Sequence, residues 1–192
     1  MEKLTQLLQN LPPAKSALET QLCVAGIIAE AFKPFHVQPV VVGGAAVEFY
    51  TLGNYTTKDI DLIVEEPGYI KEVMLSLGFR NDCGTWFLPD RPEIIVEFPK
   101  GPLAGDWKKI QPVTLPNGHT AYLLSLEDIL IDRTLAAKYW TDGSEEWVRF
   151  MMAAHYEEIN WKYLRQTAMR ELCLDTLERA RNWARRKRKQ LK

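Results

Sequence analysis

The sequence predicts an α+β protein, a mixed β-sheet flanked by helices, with a helical C-terminal part. Three observations carry this. Short apolar segments rich in valine and isoleucine, such as Val37 to Val42 and Asp59 to Val64, alternate with glycine, proline and asparagine turns. Between them lie stretches with helical periodicity. From Ser125 to the end, turn signals become rare and the chain reads as helix. The expected organisation is an α+β core over residues 1–124 and a helical region with a basic tail over 125–192.

The elements follow in order. Residues 14–33 place Leu18, Leu22, Ala25, Ile28 and Phe32 on one helical face, with Pro12 and Pro13 before the helix and Pro34 after it. Val37 to Val42 is a short buried strand that runs into Gly43-Gly44. Ala45 to Leu52 is helix-compatible and closes at Gly53-Asn54. Asp59 to Val64 is a second strand, and Pro67 to Leu77 a helix closed by Gly78. Thr85 to Leu88 and Glu93 to Phe98 are strands joined by Pro89-Asp90-Arg91-Pro92, residues that favour a turn. Gln111 to Leu115 and Thr120 to Leu124 pair across Pro116-Asn117-Gly118. Ser125 with Asp128 resembles a helix-capping pattern. Breaks in the helical part are expected near Asp142-Gly143 and Ile159-Asn160.

Composition narrows the function classes. The chain has 192 residues, 46% hydrophobic and 26% charged, as in ordinary globular proteins. No apolar run approaches the ~20 residues that span a bilayer. The start lacks a secretory pattern. Cys23, Cys83 and Cys173 form no CxxC pair and read as packing thiols, which points to the cytoplasm. No Gly-x-Ser-x-Gly or Walker-type sequence occurs. His36, His119 and His155 lack a metal-ligand spacing, and His119 reads as a solvated loop residue. The aromatic residues Tyr139, Trp140, Trp147, Tyr156, Trp161 and Tyr163 read mainly as core. Arg179 to Lys192 holds eight basic residues and no acid, leaving 16 basic against 25 acidic residues elsewhere. Such a tail suits either a solvated helix end or a phosphate backbone, and it favours RNA as a partner.

Chemistry concentrates in three places. The strand Val40-Val41-Val42 enters Gly43-Gly44, where a backbone can approach a ligand closely and a helix start offers N–H groups to phosphate. In Thr57-Lys58-Asp59-Ile60-Asp61-Leu62, a strand's period of two puts Asp59 and Asp61 on one face. Paired carboxylates repel unless a cation lies between them, and hard divalent ions prefer such oxygen ligands. Glu93 and Glu97 share a face of the next apolar strand. If that strand lies beside Asp59 and Asp61, one glutamate completes a three-carboxylate site for two-metal chemistry, or serves as general base.

These residues resemble the nucleotidyltransferase superfamily typified by DNA polymerase β. The signature is a hydrophobic strand, Gly-Gly or Gly-Ser, an Asp-x-Asp strand, and a third acid on a neighbouring strand. Here it reads Val42-Gly43-Gly44, Asp59-Ile60-Asp61 and Glu97. The resemblance covers roughly residues 38–165 and is strongest to small bacterial and archaeal nucleotidyltransferases, including a toxin-like group associated with abortive-infection systems. Segments 96–105 and 124–133 are also similar to that group.

The resemblance implies a nucleotidyltransferase fold and Mg²⁺ or Mn²⁺ on Asp59, Asp61 and Glu97. It implies an NTP such as ATP with its phosphates near Gly43 and Gly44, Thr57 at a matching threonine, and release of pyrophosphate. It also implies a basic residue facing the nucleotide from the first C-terminal helix; Arg133 is the candidate and Lys138 the reserve. The acceptor would be an RNA or tRNA, a protein or a small molecule such as an aminoglycoside, and a toxin–antitoxin partner is a further expectation. Two positions depart from the pattern: Tyr55 stands where many relatives have arginine, and Gly44 where many have serine. They keep open a second reading, an inactive nucleotide- or RNA-binding module of the same fold.

Overall fold

Seven strands form one mixed sheet, in the order β3-β4-β5-β2-β1-β7-β6. The strands are β1 (Val40–Val42), β2 (Asp59–Ile63), β3 (Arg80–Asp82), β4 (Thr85–Leu88), β5 (Arg91–Glu97), β6 (Gln111–Thr114) and β7 (Thr120–Leu123). A computed structural model describes residues 2–11, 16–140 and 143–190, with side chains up to 187. The helices are α1 (Glu2–Gln9), α2 (Ala17–Phe32), α3 (Gly43–Tyr50), α4 (Ile70–Ser76), α5 (Leu126–Tyr139), α6 (Ser144–Ala154), α7 (Trp161–Arg170) and α8 (Leu174–Gln190). The expected helix signals at Pro12, Pro13 and Asp142 lie outside the described residues.

The centre of the sheet sets up the site. β2 lies between β1, to which it is antiparallel, and β5, to which it is parallel. β1 also pairs in parallel with β7. The β4–β5 and β6–β7 hairpins extend the two edges. From Asp59 to Leu62 β2 alternates: Ile60 and Leu62 are buried, whereas Asp59 and Asp61 are only partly covered. α2 is buried along most of its length, from Gln21 to Ala29, and belongs to the same core as Ile60, Leu62 and Val96. No described helix is long and apolar enough to cross a membrane.

Several local expectations need correction. β1 begins at Val40, not Val37, because His36 takes a left-handed conformation and Pro39 has no N–H for a ladder. α3 starts directly at Gly43. The segment from Pro67 divides into a 3-10 turn, Pro67–Tyr69, and α4. β5 starts at Arg91, so its turn is shorter than expected. The helical part has a further break at Leu172, held at a φ of 56°. Cys83 is exposed rather than packed. Tyr139 and Trp140 are also exposed. His119 is not a solvated loop residue; its side chain is 16% exposed and lies 3.9 Å from Glu30.

Asp128 joins three parts of the molecule. Ser125 caps α5 by accepting from the Asp128 N–H, as the sequence suggests. The Asp128 carboxylate is itself buried. It accepts from the Ser125 hydroxyl at 2.7 Å, the Asp106 N–H at 3.2 Å and the Tyr163 hydroxyl at 2.7 Å. Burial and this bond push the Tyr163 hydroxyl up to about 12. Asp128→Ala would strand the buried donors, at a cost of about 3 kcal/mol. A thermal melt should show a Tm lower by roughly 6–12 °C. Asp128→Asn, which keeps an acceptor, should recover part of that loss.

Candidate active site

The site is built where β1 ends, β2 begins and β5 ends. The β2–β5 register sets Asp59 opposite Ile95 and Asp61 opposite Glu97. Of the two candidate glutamates, register therefore selects Glu97. Glu93 is exposed and paired with Arg91 at 2.5 Å. Carboxylate oxygens of Asp59, Asp61 and Glu97 all lie within 4.8 Å of one another.

The electrostatics of this trio are strained without a cation. Asp61 is pushed up to about 6, first by burial and then by the charges of Asp59 and Glu97. The Gly44 N–H and the Arg133 charge oppose that rise but do not cancel it. Asp61, whose proton affinity is raised by two neighbouring carboxylates, sits in an oxygen-rich group that suits a hard divalent ion.

Both glycines are required by close approach. Gly43 has a φ of +58°, and a Cβ there would lie 2.2 Å from Asp61 Oδ2. Gly44 would place a Cβ 2.8 Å from both Cβ and Oγ1 of Thr57. This explains the departure from serine at Gly44: Thr57 occupies the space that a side chain would need. The Gly44 N–H, moreover, is directed at Asp61.

Thr57 is clamped by groups that the sequence reading did not single out. Its N–H donates to Glu48 Oε2 at 3.1 Å, and its carbonyl accepts from Gln21 Nε2 at 3.0 Å. Its hydroxyl then donates to Asp59 Oδ1 at 2.5 Å. Gln21 and Glu48 are both buried, each among apolar neighbours on α2 and α3. A buried polar residue on an apolar helix face is the signal that could have found them. Thr85 similarly donates to Glu97 Oε1 at 2.8 Å across the β4–β5 pair.

Residues 32–190 match the model of a family described as "Nucleotidyltransferase of unknown function (DUF6036)". The chain belongs to this nucleotidyltransferase family. No curated protein sequence matches it. Among solved structures it is similar to an antigenic nucleotidyltransferase-like protein from Paracoccidioides brasiliensis. That protein is 19% identical, with 89% of this chain and 94% of that chain covered and a TM-score of 0.55, a likeness of fold. A crystal structure of ANT(2")-Ia in complex with adenylyl-2"-tobramycin is 17% identical, covering 88% of this chain and 98% of that chain, with a TM-score of 0.48. The family match is to nucleotidyltransferases broadly and does not single out the abortive-infection group.

The family match begins at residue 32, so Gln21 reaches Thr57 from outside it. The remaining candidates separate. Arg133 pairs with Asp132 through Nε at 2.7 Å, yet its charge still acts on Asp61. Lys138 points elsewhere: its ammonium donates to the Leu172 carbonyl and pairs with Asp175 at 3.4 Å, which ties α5 to the start of α8. Tyr55 packs edge-on against Trp147 of α6, with ring centroids 5.3 Å apart. It is a packing residue between the loop before β2 and the helical part.

Proposed function

We propose that the protein is a metal-dependent nucleotidyltransferase that moves an NMP from an NTP to an acceptor hydroxyl. The observation that carries this reading is the convergence of Asp59, Asp61 and Glu97 on adjacent strands, beside a glycine turn. In this reading the three acids hold Mg²⁺ or Mn²⁺, which when bound supplies Lewis acidity and charge neutralisation at the phosphates.

The chain's own groups do the rest. Thr57, fixed by Gln21 and Glu48, holds Asp59 in one orientation. Gly43 lets the Asp61 carboxylate lie against the start of α3, and the triphosphate would bind beside that helix start, at the metal the carboxylates hold. Arg133 brings positive charge towards Asp61 and the incoming phosphates. The acceptor hydroxyl passes its proton to solvent as its oxygen attacks the α-phosphorus. A new P–O bond forms as the bond to the β-phosphate oxygen breaks, and pyrophosphate leaves.

The test is to incubate the protein with Mg²⁺, cell extract and each NTP, labelled at either the α- or the γ-phosphate. Label from the α position should enter an acceptor while the γ label leaves in pyrophosphate. Transfer of the γ label would identify a phosphoryl transferase and refute this reading.

A further inference from the structure

We infer that the cleft between α6 and α8 binds the sugar–phosphate backbone of single-stranded RNA and so presents RNA as the acceptor; this rests on the transfer reading above. Arg149 of α6 and Arg179, Arg185 and Arg186 of α8 line the cleft together with Asn182 and Trp183. Arg149 pairs with Glu145 at 2.7 Å and Arg179 with Asp175 at 3.6 Å. Arg185 and Arg186 are exposed and have no carboxylate partner among the described residues. The Arg149 Nε is buried and makes no hydrogen bond. The cleft thus carries unspent guanidinium donors, whose planar forks match phosphate oxygens.

The aromatic group in the cleft distinguishes among polyanions. Trp183 is half-buried between two cations, Arg149 at 5.8 Å and Lys187 at 5.9 Å from its ring. An aromatic face among arginines is the pattern that stacks bases while the charges follow the backbone. A membrane fits less well. The apolar face of α8, with Leu177, Ala180 and Ala184, is buried in the core and cannot enter lipid. An acidic peptide would use the charges but not the stacking surface. RNA also carries the free hydroxyls that nucleotidyl transfer needs. α6 borders both regions through different faces: Trp147 packs on Tyr55 in the loop that leads to Thr57 and Asp59, and Arg149, two residues on and about half a turn round the helix, lines the cleft, so a strand held there must run round α6 to reach the site.

The test separates docking from transfer. Fluorescein-labelled oligouridylate is titrated with Asp61→Asn protein, without NTP, over a range of KCl concentrations. Four guanidiniums on a single strand predict a log–log salt slope of about −3. Adding Arg185→Glu and Arg186→Glu should weaken binding at least tenfold and flatten the slope by about 1.4. Both side chains are exposed, and an unchanged melt confirms folding. Binding unaffected by the pair, or polyglutamate or anionic vesicles competing as well as RNA, would overturn the inference. The wild type with α-labelled NTP gives the second arm. Label in RNA that falls with the same pair supports RNA as acceptor. RNA bound while another molecule takes the label overturns it and leaves the transfer reading standing. No α-label transfer to any acceptor refutes the transfer reading, and the acceptor role with it, while the binding result still decides whether RNA docks.

Discussion

Gly43→Ala should reduce nucleotidyl transfer by about a hundredfold or more, the loss expected when a reacting geometry shifts by about 1 Å. Two effects combine. A left-handed backbone with a Cβ costs about 1–2 kcal/mol. The added carbon would also lie 2.2 Å from Asp61 Oδ2, a contact relieved only by moving the carboxylate. Metal affinity should fall along with the rate. Gly118→Ala is the control: its φ is +81° and nothing lies within 4 Å of the added carbon. It should show the backbone cost as a lower Tm with unchanged transfer. If Gly43→Ala behaved like Gly118→Ala, the close approach of Asp61 would not matter.

Asp61→Asn should abolish transfer yet stabilise the metal-free protein at neutral pH. The sign follows from the carboxylate's proton affinity. Asp61 titrates near 6 in the folded protein against an ordinary 3.8. Below 3.8 it is protonated whether the chain is folded or not, and it carries no penalty. Between 3.8 and about 6 the unfolded chain ionises first, so stability falls as pH rises, and above that range the penalty is complete. At full strength the difference is about 3 kcal/mol; the carboxylate is partly solvated, and about 1–2 kcal/mol is expected. Melts in a chelator should therefore show the variant's Tm level with wild type at low pH. Its advantage should open through that window to roughly 2–8 °C at pH 7. Mg²⁺ should then raise the Tm of the wild type and not of the variant. A variant less stable than wild type at pH 7 would mean that the trio is not strained.

Most of the central sheet was legible because β1 is a valine run ending at a glycine turn and β2 alternates polar and apolar residues. Thr85 to Leu88 was placed with its observed bounds, and the shared face of Asp59 and Asp61 followed from the strand period. Glu97 could not be chosen over Glu93 from sequence, because both obey the same period. Only the pairing of β2 with β5, a long-range contact, decides between them. β3 was missed because Arg80, Asn81 and Asp82 are all exposed on an edge and offer no apolar pattern. α1 is short and buries only Leu8. Gln21, Glu48 and the role of the Asp128 carboxylate were hidden for another reason: their partners lie in other segments and meet them only in the fold.

In the proposed reaction Asp59, Asp61 and Glu97 act together as a metal-dependent transfer site. Its most direct test is Mg²⁺-dependent pyrophosphate release in the presence of NTP and acceptor, with wild-type protein compared against Asp59→Asn/Asp61→Asn. The wild type should release pyrophosphate until the metal is chelated, and the double variant should release none. Equal release by a folded double variant would contradict that role.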